Sequence, residues 1–360
     1  MPPAHCSGIS PGMDGVQLLV VALTFLGTMM LSARESAADP AIAAQLRSSL
    51  LCTSLVPVLA WMGLLLSGFV SAQDANVSRP FALYAVVIVA VALASWRGFA
   101  WPEPVGDEIA VPRTRNWKSL RPLLWVGIIA FVVLLGMSRT ALIAIALMIP
   151  LSLIYRGNLK NIVLGSLILA VGAGAFTIAV MNYQPLHDRF FGEDAHMQFA
   201  GVAINGSGRT RIWNLLLSTL GEDWIFGKGI SSSEDIINKT IPNIGQPHND
   251  YLRFYYDQGM VGLVLWLSFI AAAVQRTINN LRRSIRNRSP DYPQHLAALL
   301  ALTGISLSML TDNSYCYAFL MFPLAILLGC SMGVGRHYQE VELATLPEPE
   351  PVYFQKISAI

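Results

Sequence analysis

The sequence predicts an all-α polytopic integral membrane protein, with about nine transmembrane helices and one large extracytoplasmic loop. Three observations carry that reading. Hydrophobic residues make up 54% of the 360-residue chain and charged residues only 13%, where an ordinary soluble domain carries about 25% charge. Mean hydropathy is +0.52. The apolar residues also collect in charge-free stretches long enough to cross a bilayer, which takes roughly 17–25 helical residues.

A chain with so little charge cannot coat a folded surface with ionised groups, which excludes a soluble globular enzyme. High hydrophobicity excludes a disordered chain. The net charge of +2 points to no nucleic-acid partner. Cys6, Cys52, Cys316 and Cys330 form no CxxC pair, so neither a disulfide framework nor a zinc site is expected. They read as small apolar residues.

The expected spans are 15–33, 48–73, 80–96, 122–138, 140–155, 161–187, 258–275, 292–311 and 313–335. The first lacks the basic lead and the small-residue cleavage site of a signal peptide. The fifth is short and is joined to the fourth by a tight turn at 136–139. A soluble segment of real size occurs once, at 181–258.

Lysine and arginine in short loops set the orientation. With segments 97–121 and 275–295 in the cytoplasm, the short inner segments hold sixteen basic residues and the short outer ones two, Arg79 and Arg139. The N-terminus is then outside, the C-terminus inside, and loop 181–258 extracytoplasmic. The acidic, proline-containing tail reads as a solvated cytoplasmic segment.

The candidate chemistry collects on that outer side. Mid-span charge, the usual mark of a transport path, is missing; Arg139 and Asp312 fall at outer helix ends. Arg139 follows Ser138 in the turn between two closely spaced spans. It can be a snorkelling anchor, or a fixed guanidinium suited to a lipid-linked phosphate. Arg209 and Trp213 are four apart and share a helix face, with Asn205 or Ser207 as the cap. Arg211 points about 200° away from Arg209 on the helical wheel. The bland alternative for this segment is an amphipathic interfacial helix.

His248 follows Pro247 and is expected in the first turn of a helix. There the dipole favours a neutral ring, which suits a general base; an ordinary surface histidine is the alternative. Tyr251, Tyr255 and Tyr256 suit an interfacial aromatic belt. Gly227-Lys228-Gly229 fits no phosphate-loop pattern. The acidic pairs Glu193/Asp194, Glu222/Asp223 and Glu234/Asp235 show no metal-ligand spacing and read as solvated charge, so no metal or cofactor is expected.

Each signal alone is weak, but their order is specific. Ser138-Arg139 comes between spans. Gly208-Arg209 with Trp213 follows, then Phe226-Gly227-Lys228-Gly229. His248-Asn249 with Leu252 comes next, and Gly259 and Gly262 open a span. This order resembles the O-antigen ligase and O-antigen polymerase superfamily over roughly residues 120–335.

The resemblance implies a metal-independent glycosyltransferase of the bacterial cytoplasmic (inner) membrane that uses an undecaprenyl-diphosphate-linked glycan as donor. It implies a growing glycan or lipid A–core as acceptor, membrane lipids as surroundings, and polysaccharide assembly proteins as further partners. Within the superfamily the His248 segment leans to a repeat-unit polymerase over a ligase. By the same resemblance Arg139 and Arg209 hold the diphosphate, His248 is catalytic, and Arg211, Asn249 and Asp312 are accessory. The expected division is 1–121, an N-terminal membrane region of about three spans that looks abbreviated for this superfamily; 122–335, the ligase/polymerase-like domain with loop 181–258; and 336–360, the tail. A polysaccharide transporter and a non-catalytic assembly subunit are the competing readings.

Overall fold

The computed structural model describes residues 11–67, 75–99, 117–135, 138–155, 158–184, 187, 197–199, 202–204, 208–241 and 245–344. Apart from one hairpin of three-residue strands, its regular structure is helical. Seven helices come first: α1 (Pro11–Ala38), α2 (Pro40–Thr53), α3 (Leu55–Leu66), α4 (Ala75–Phe99), α5 (Trp117–Leu135), α6 (Arg139–Ile154) and α7 (Leu159–Asn182). Strands β1 (Met197–Phe199) and β2 (Val202–Ile204) then pair antiparallel. Five more helices follow: α8 (Arg209–Leu220), α9 (Ser232–Thr240), α10 (Asp250–Arg286), α11 (Tyr292–Ser308) and α12 (Ala318–Ala344).

Among the described residues, six helical stretches are long and apolar enough to cross a membrane: Gly15–Ala38, Pro40–Leu64, Pro80–Arg97, Leu159–Asn182, Asp250–Arg286 and Ala318–Val341. Two further apolar helices, Arg121–Val133 and Arg139–Ile154, are shorter, as is α11 with 17 residues. The expectation of about nine spans therefore meets six of full length and three shorter helices at the remaining places.

The core sits between α4 and α11. Ala85 through Ala94 and Leu296 through Leu302 are all buried, so both helices are apolar on every side and enclosed by others. Small residues bring α12 against α1: a Cβ at Gly329 would strike the Met29 carbonyl, and one at Gly333 the Ala33 carbonyl. In lipid, where apolar contact alone does not drive helices together, such close backbone approach gives the association its dispersion energy. The N-terminal helices are thus packed into the same bundle as the C-terminal ones. By contrast α7 buries little beyond Gly165 and Val180, and its exposed Leu167, Val171 and Ile178 suit contact with acyl chains. An apolar groove of about 880 Å³ lies between α3 and α5, lined by Leu59, Trp61, Met62, Leu124, Ile128 and Phe131 among others.

Helices α8 and α9 form a small layer with its own core of Ile212, Leu216, Leu220, Ile237, Ile241 and Tyr256. This layer rests on the first turns of α10. Gly259 breaks α10 there with φ +68°. A side chain at that position would collide with the Ile225 carbonyl, which instead accepts from the Val261 N–H at 3.2 Å. The Gly227-Lys228-Gly229 turn docks on the same break through Lys228 N–H to Tyr256 O (3.0 Å) and Gly229 N–H to Asp257 O (2.9 Å). Its role in the structure is backbone contact, and the Lys228 ammonium bonds Asp223 at 2.7 Å, a contact that raises its pKa.

Candidate functional site

Four segments meet at the start of α10. The first is the N-terminus of α6, where Arg139 is the first helical residue and Ser138 the cap position; Gly136 and Met137 lie outside the described residues. The next residue, Thr140, shares a hydrogen bond of 2.6 Å with Thr311, which joins this helix end to the loop bearing Asp312. The second segment is that loop. It follows α11 and holds Asp312 and Asn313, both buried. The third is Gln246 to Asn249. The fourth is α8, whose Trp213 indole N–H donates to the Pro247 carbonyl at 2.9 Å. Arg209 lies one turn before Trp213.

His248 is not in the first turn of the helix. Asn249 is the N-cap, its side chain accepting from Leu252 N–H at 3.0 Å. His248 precedes the cap with φ +52°. An N-cap asparagine satisfies one of the free amides at a helix start and leaves the preceding residue outside the helix. His248 therefore lies outside the helix whose first turn it was expected to occupy. A left-handed conformation is costly for a non-glycine residue and persists where neighbours hold it. Here Asn313 Oδ1 accepts the His248 backbone N–H at 2.8 Å, and Asn313 Nδ2 meets the ring Nδ1 at 2.9 Å. Asp312 Oδ1 stands 3.9 Å from the same Nδ1 and accepts from Asn313 N–H at 3.0 Å.

Of the expected site residues, His248 and Asp312 are side by side. Arg139 and Arg209 are tied to them through Thr140–Thr311 and Trp213–Pro247, and both are half-buried. Arg211 is exposed. Asn249 serves the helix cap. Gly208, in the left-handed region at φ +74°, occupies the cap position of α8, while Asn205 and Ser207 lie outside the described residues. Tyr256 is buried in the α8–α9 core, its hydroxyl 3.1 Å from Thr219 Oγ1, so it does not belong to an exposed aromatic belt.

Sequence reasoning missed Asn313 and a second polar cluster. Glu234 is only 7% exposed, not solvated: it accepts from the Arg253 guanidinium at 2.6 Å. Asp257 accepts the backbone N–H of Ser231 (3.1 Å) and of Ser233 (2.8 Å), capping the start of α9 with a carboxylate where the dipole favours one. An arginine in the first turn of an apolar helix was the available signal. The cysteines Cys316 and Cys330 are buried and free, and Cys52 is free and exposed; Cys6 lies outside the described residues. No group of three or more His, Cys, Asp or Glu placed to hold a metal occurs among the described residues.

The fold and site define a class: a multi-pass helical membrane protein carrying a histidine–carboxylate cluster, linked to two arginine-bearing helix starts, at one end of its bundle. Within it, residues 123–267 match a family model described as O-Antigen ligase (Wzy_C). That segment is similar to the family and contains Arg139, Arg209 and His248, while Asp312 and Asn313 lie beyond it. No curated protein matches the chain.

Proposed function

We propose that the protein is an O-antigen ligase/polymerase-like glycosyltransferase. It acts at the outer face of the bacterial cytoplasmic membrane on an undecaprenyl-diphosphate-linked glycan. The observation that carries this reading is the meeting of His248 and Asp312 with the helix starts that bear Arg139 and Arg209, within and beside the segment similar to O-antigen ligases. A sugar–diphosphate bond needs its departing negative charge stabilised, and guanidinium groups supply that without a metal. Arg139 and Arg209 hold the diphosphate, His248 is the catalytic group at the reacting sugar, and Asp312 is accessory. The α3–α5 groove has the chemistry an isoprenoid chain requires, and α5 leads toward Arg139.

In this reading all nine apolar segments cross the membrane. The layer of α8 and α9 belongs to the extracytoplasmic loop 181–258, and the C-terminus is cytoplasmic. Residues 122–335 are the catalytic domain, 1–121 supporting membrane helices, and 336–360 the tail. Cysteines placed at Lys239 and Asn287 label oppositely with an impermeant thiol reagent in intact cells; equal labelling would overturn this topology.

Two acceptors suit the chemistry. The His248 segment leans to a growing polysaccharide, and the description of the matched family favours a ligase acceptor such as lipid A–core. His248→Ala tests the shared step. A catalytic group aimed at the reacting bond is worth about 10²–10³-fold, so product falls by that order and the lipid-linked donor accumulates on the outer face. Longer chains missing from the wild-type product pattern then mark a polymerase; unattached long chains mark a ligase. Donor accumulating on the inner face instead would make the protein a transporter.

A further inference from the structure

The hydrogen bonds around Asn313 fix more than the position of His248. A backbone N–H can only donate, so the Asn313 atom 2.8 Å from His248 N must be the carbonyl oxygen. The other end of that amide is then the NH2 group, which only donates. It has two hydrogens and two partners: Gln246 Oε1 at 2.7 Å and His248 Nδ1 at 2.9 Å. Nδ1 must therefore accept, and in the neutral ring the proton sits on Nε2. Nε2 has no partner among the described residues, and the side chain is 21% exposed.

The charged groups nearby do not reverse this. The Asp312 carboxylate, 3.9 Å from Nδ1, is beyond hydrogen-bond reach of that nitrogen. Asp250 is directed elsewhere, accepting from Tyr315 N–H at 2.8 Å with Arg253 Nε at 3.8 Å. The ring thus presents N–H at the open nitrogen, whereas a general base there needs a lone pair.

We propose that Asn313 is a positioning residue that holds the proton of His248 on Nε2, so that the ring meets the donor's diphosphate as a hydrogen-bond donor. This rests on the glycosyltransferase reading above and revises the base expected from sequence. In the step, the acceptor hydroxyl oxygen bonds the anomeric carbon as the bond from that carbon to the diphosphate oxygen breaks. The electron pair leaves on the diphosphate, the hydroxyl proton ends on that anion, and His248 keeps its own proton.

The test uses full-length protein in lipid nanodiscs with ¹⁵N-labelled histidine rings, the His248 signals being those lost in His248→Gln. The expected spectrum shows the proton on Nε2, and undecaprenyl diphosphate, but not undecaprenol, shifts that N–H. A proton on Nδ1, or no shift with the diphosphate, would overturn the proposal without any variant being needed. Asn313→Asp replaces the amide donor with an acceptor, draws the proton to Nδ1 and bares a lone pair on Nε2. Removing one preorganised donor costs about 10²–10³-fold. Transfer in membranes holding the endogenous donor should therefore fall about 10²-fold. Equal or faster transfer in Asn313→Asp would make His248 a base and sink the proposal. An Nε2–H spectrum beside unchanged transfer in His248→Ala would instead fell the glycosyltransferase reading, and the donor role with it.

Discussion

Two polar clusters share the start of α10 and differ in closure. Around His248 the groups are neutral or singly charged, joined by directional bonds through Asn313, and one ring nitrogen is left open toward the surface. Around Arg253, five residues on, Glu234, Asp250 and Asp257 surround a guanidinium that is 2% exposed. A buried ion pair contributes little net stability, because desolvation offsets the attraction, yet losing one partner is expensive. The second cluster therefore acts as a clamp: it fixes α9, and with it the α8–α9 layer, on α10. The first has an accessible polar atom left to offer a ligand. Charge density alone would have ranked the two the wrong way round.

The largest expected effect breaks the clamp. Arg253→Met leaves the Glu234 and Asp257 carboxylates buried without the guanidinium, at a cost of about 3–5 kcal/mol. Thermal unfolding of the purified full-length protein should show a clear fall in midpoint. Glu234→Met added to it should recover part of the loss, since a buried pair exchanged for apolar groups is often nearly neutral. No fall in the single variant would show that the clamp is not structural.

The other cluster should answer in activity rather than stability. Arg139→Lys and Arg209→Lys keep a charge at each helix start but lose the planar fork that binds a diphosphate bidentately. Glycan transfer should drop by roughly 10-fold to 100-fold at either site, with the unfolding midpoint unchanged. Near-normal product at equal protein level would return both arginines to the role of interfacial anchors.

The two clusters also differ in how far the sequence discloses them. Apolar spans are legible because a bilayer demands long charge-free runs, and the order of Arg139, Arg209 and His248 carried a family resemblance that the matched segment supports. Gly259 and Gly262 read as the opening of a span, whereas the helix begins at Asp250 and Gly259 interrupts it. Asn313 was not legible: an amide in a short loop has no periodicity, and its role depends on residues 65 positions away. Glu234 and Arg253 are 19 apart, and local patterning sees a loop acid and an arginine in a helix's first turn, not a pair. The position of His248 was misjudged because Pro247 resembles a helix start, although Asn249 just before Asp250 is the stronger cap signal.

The smallest expected effect tests whether the histidine cluster depends on its neighbouring layer. Trp213 packs on the α8–α9 core, and its indole N–H is the described bond between α8 and the residue before His248. Trp213→Phe keeps an aromatic ring for the packing and removes the donor. A hydrogen bond of this kind is worth about 0.5–1.5 kcal/mol net, so the unfolding midpoint should move only slightly. Pro247 holds the backbone from which His248 projects, and Arg209 stands one turn before Trp213. Loosening this one bond frees the two groups relative to each other, and the misplacement should appear as a several-fold loss of transfer, smaller than for either arginine variant. Combined with Arg209→Lys, the tryptophan change should add less than its separate effect, because both act on the same placement of α8. Full additivity would mean that α8 and His248 work independently, and the layer would then be a scaffold for the arginine alone.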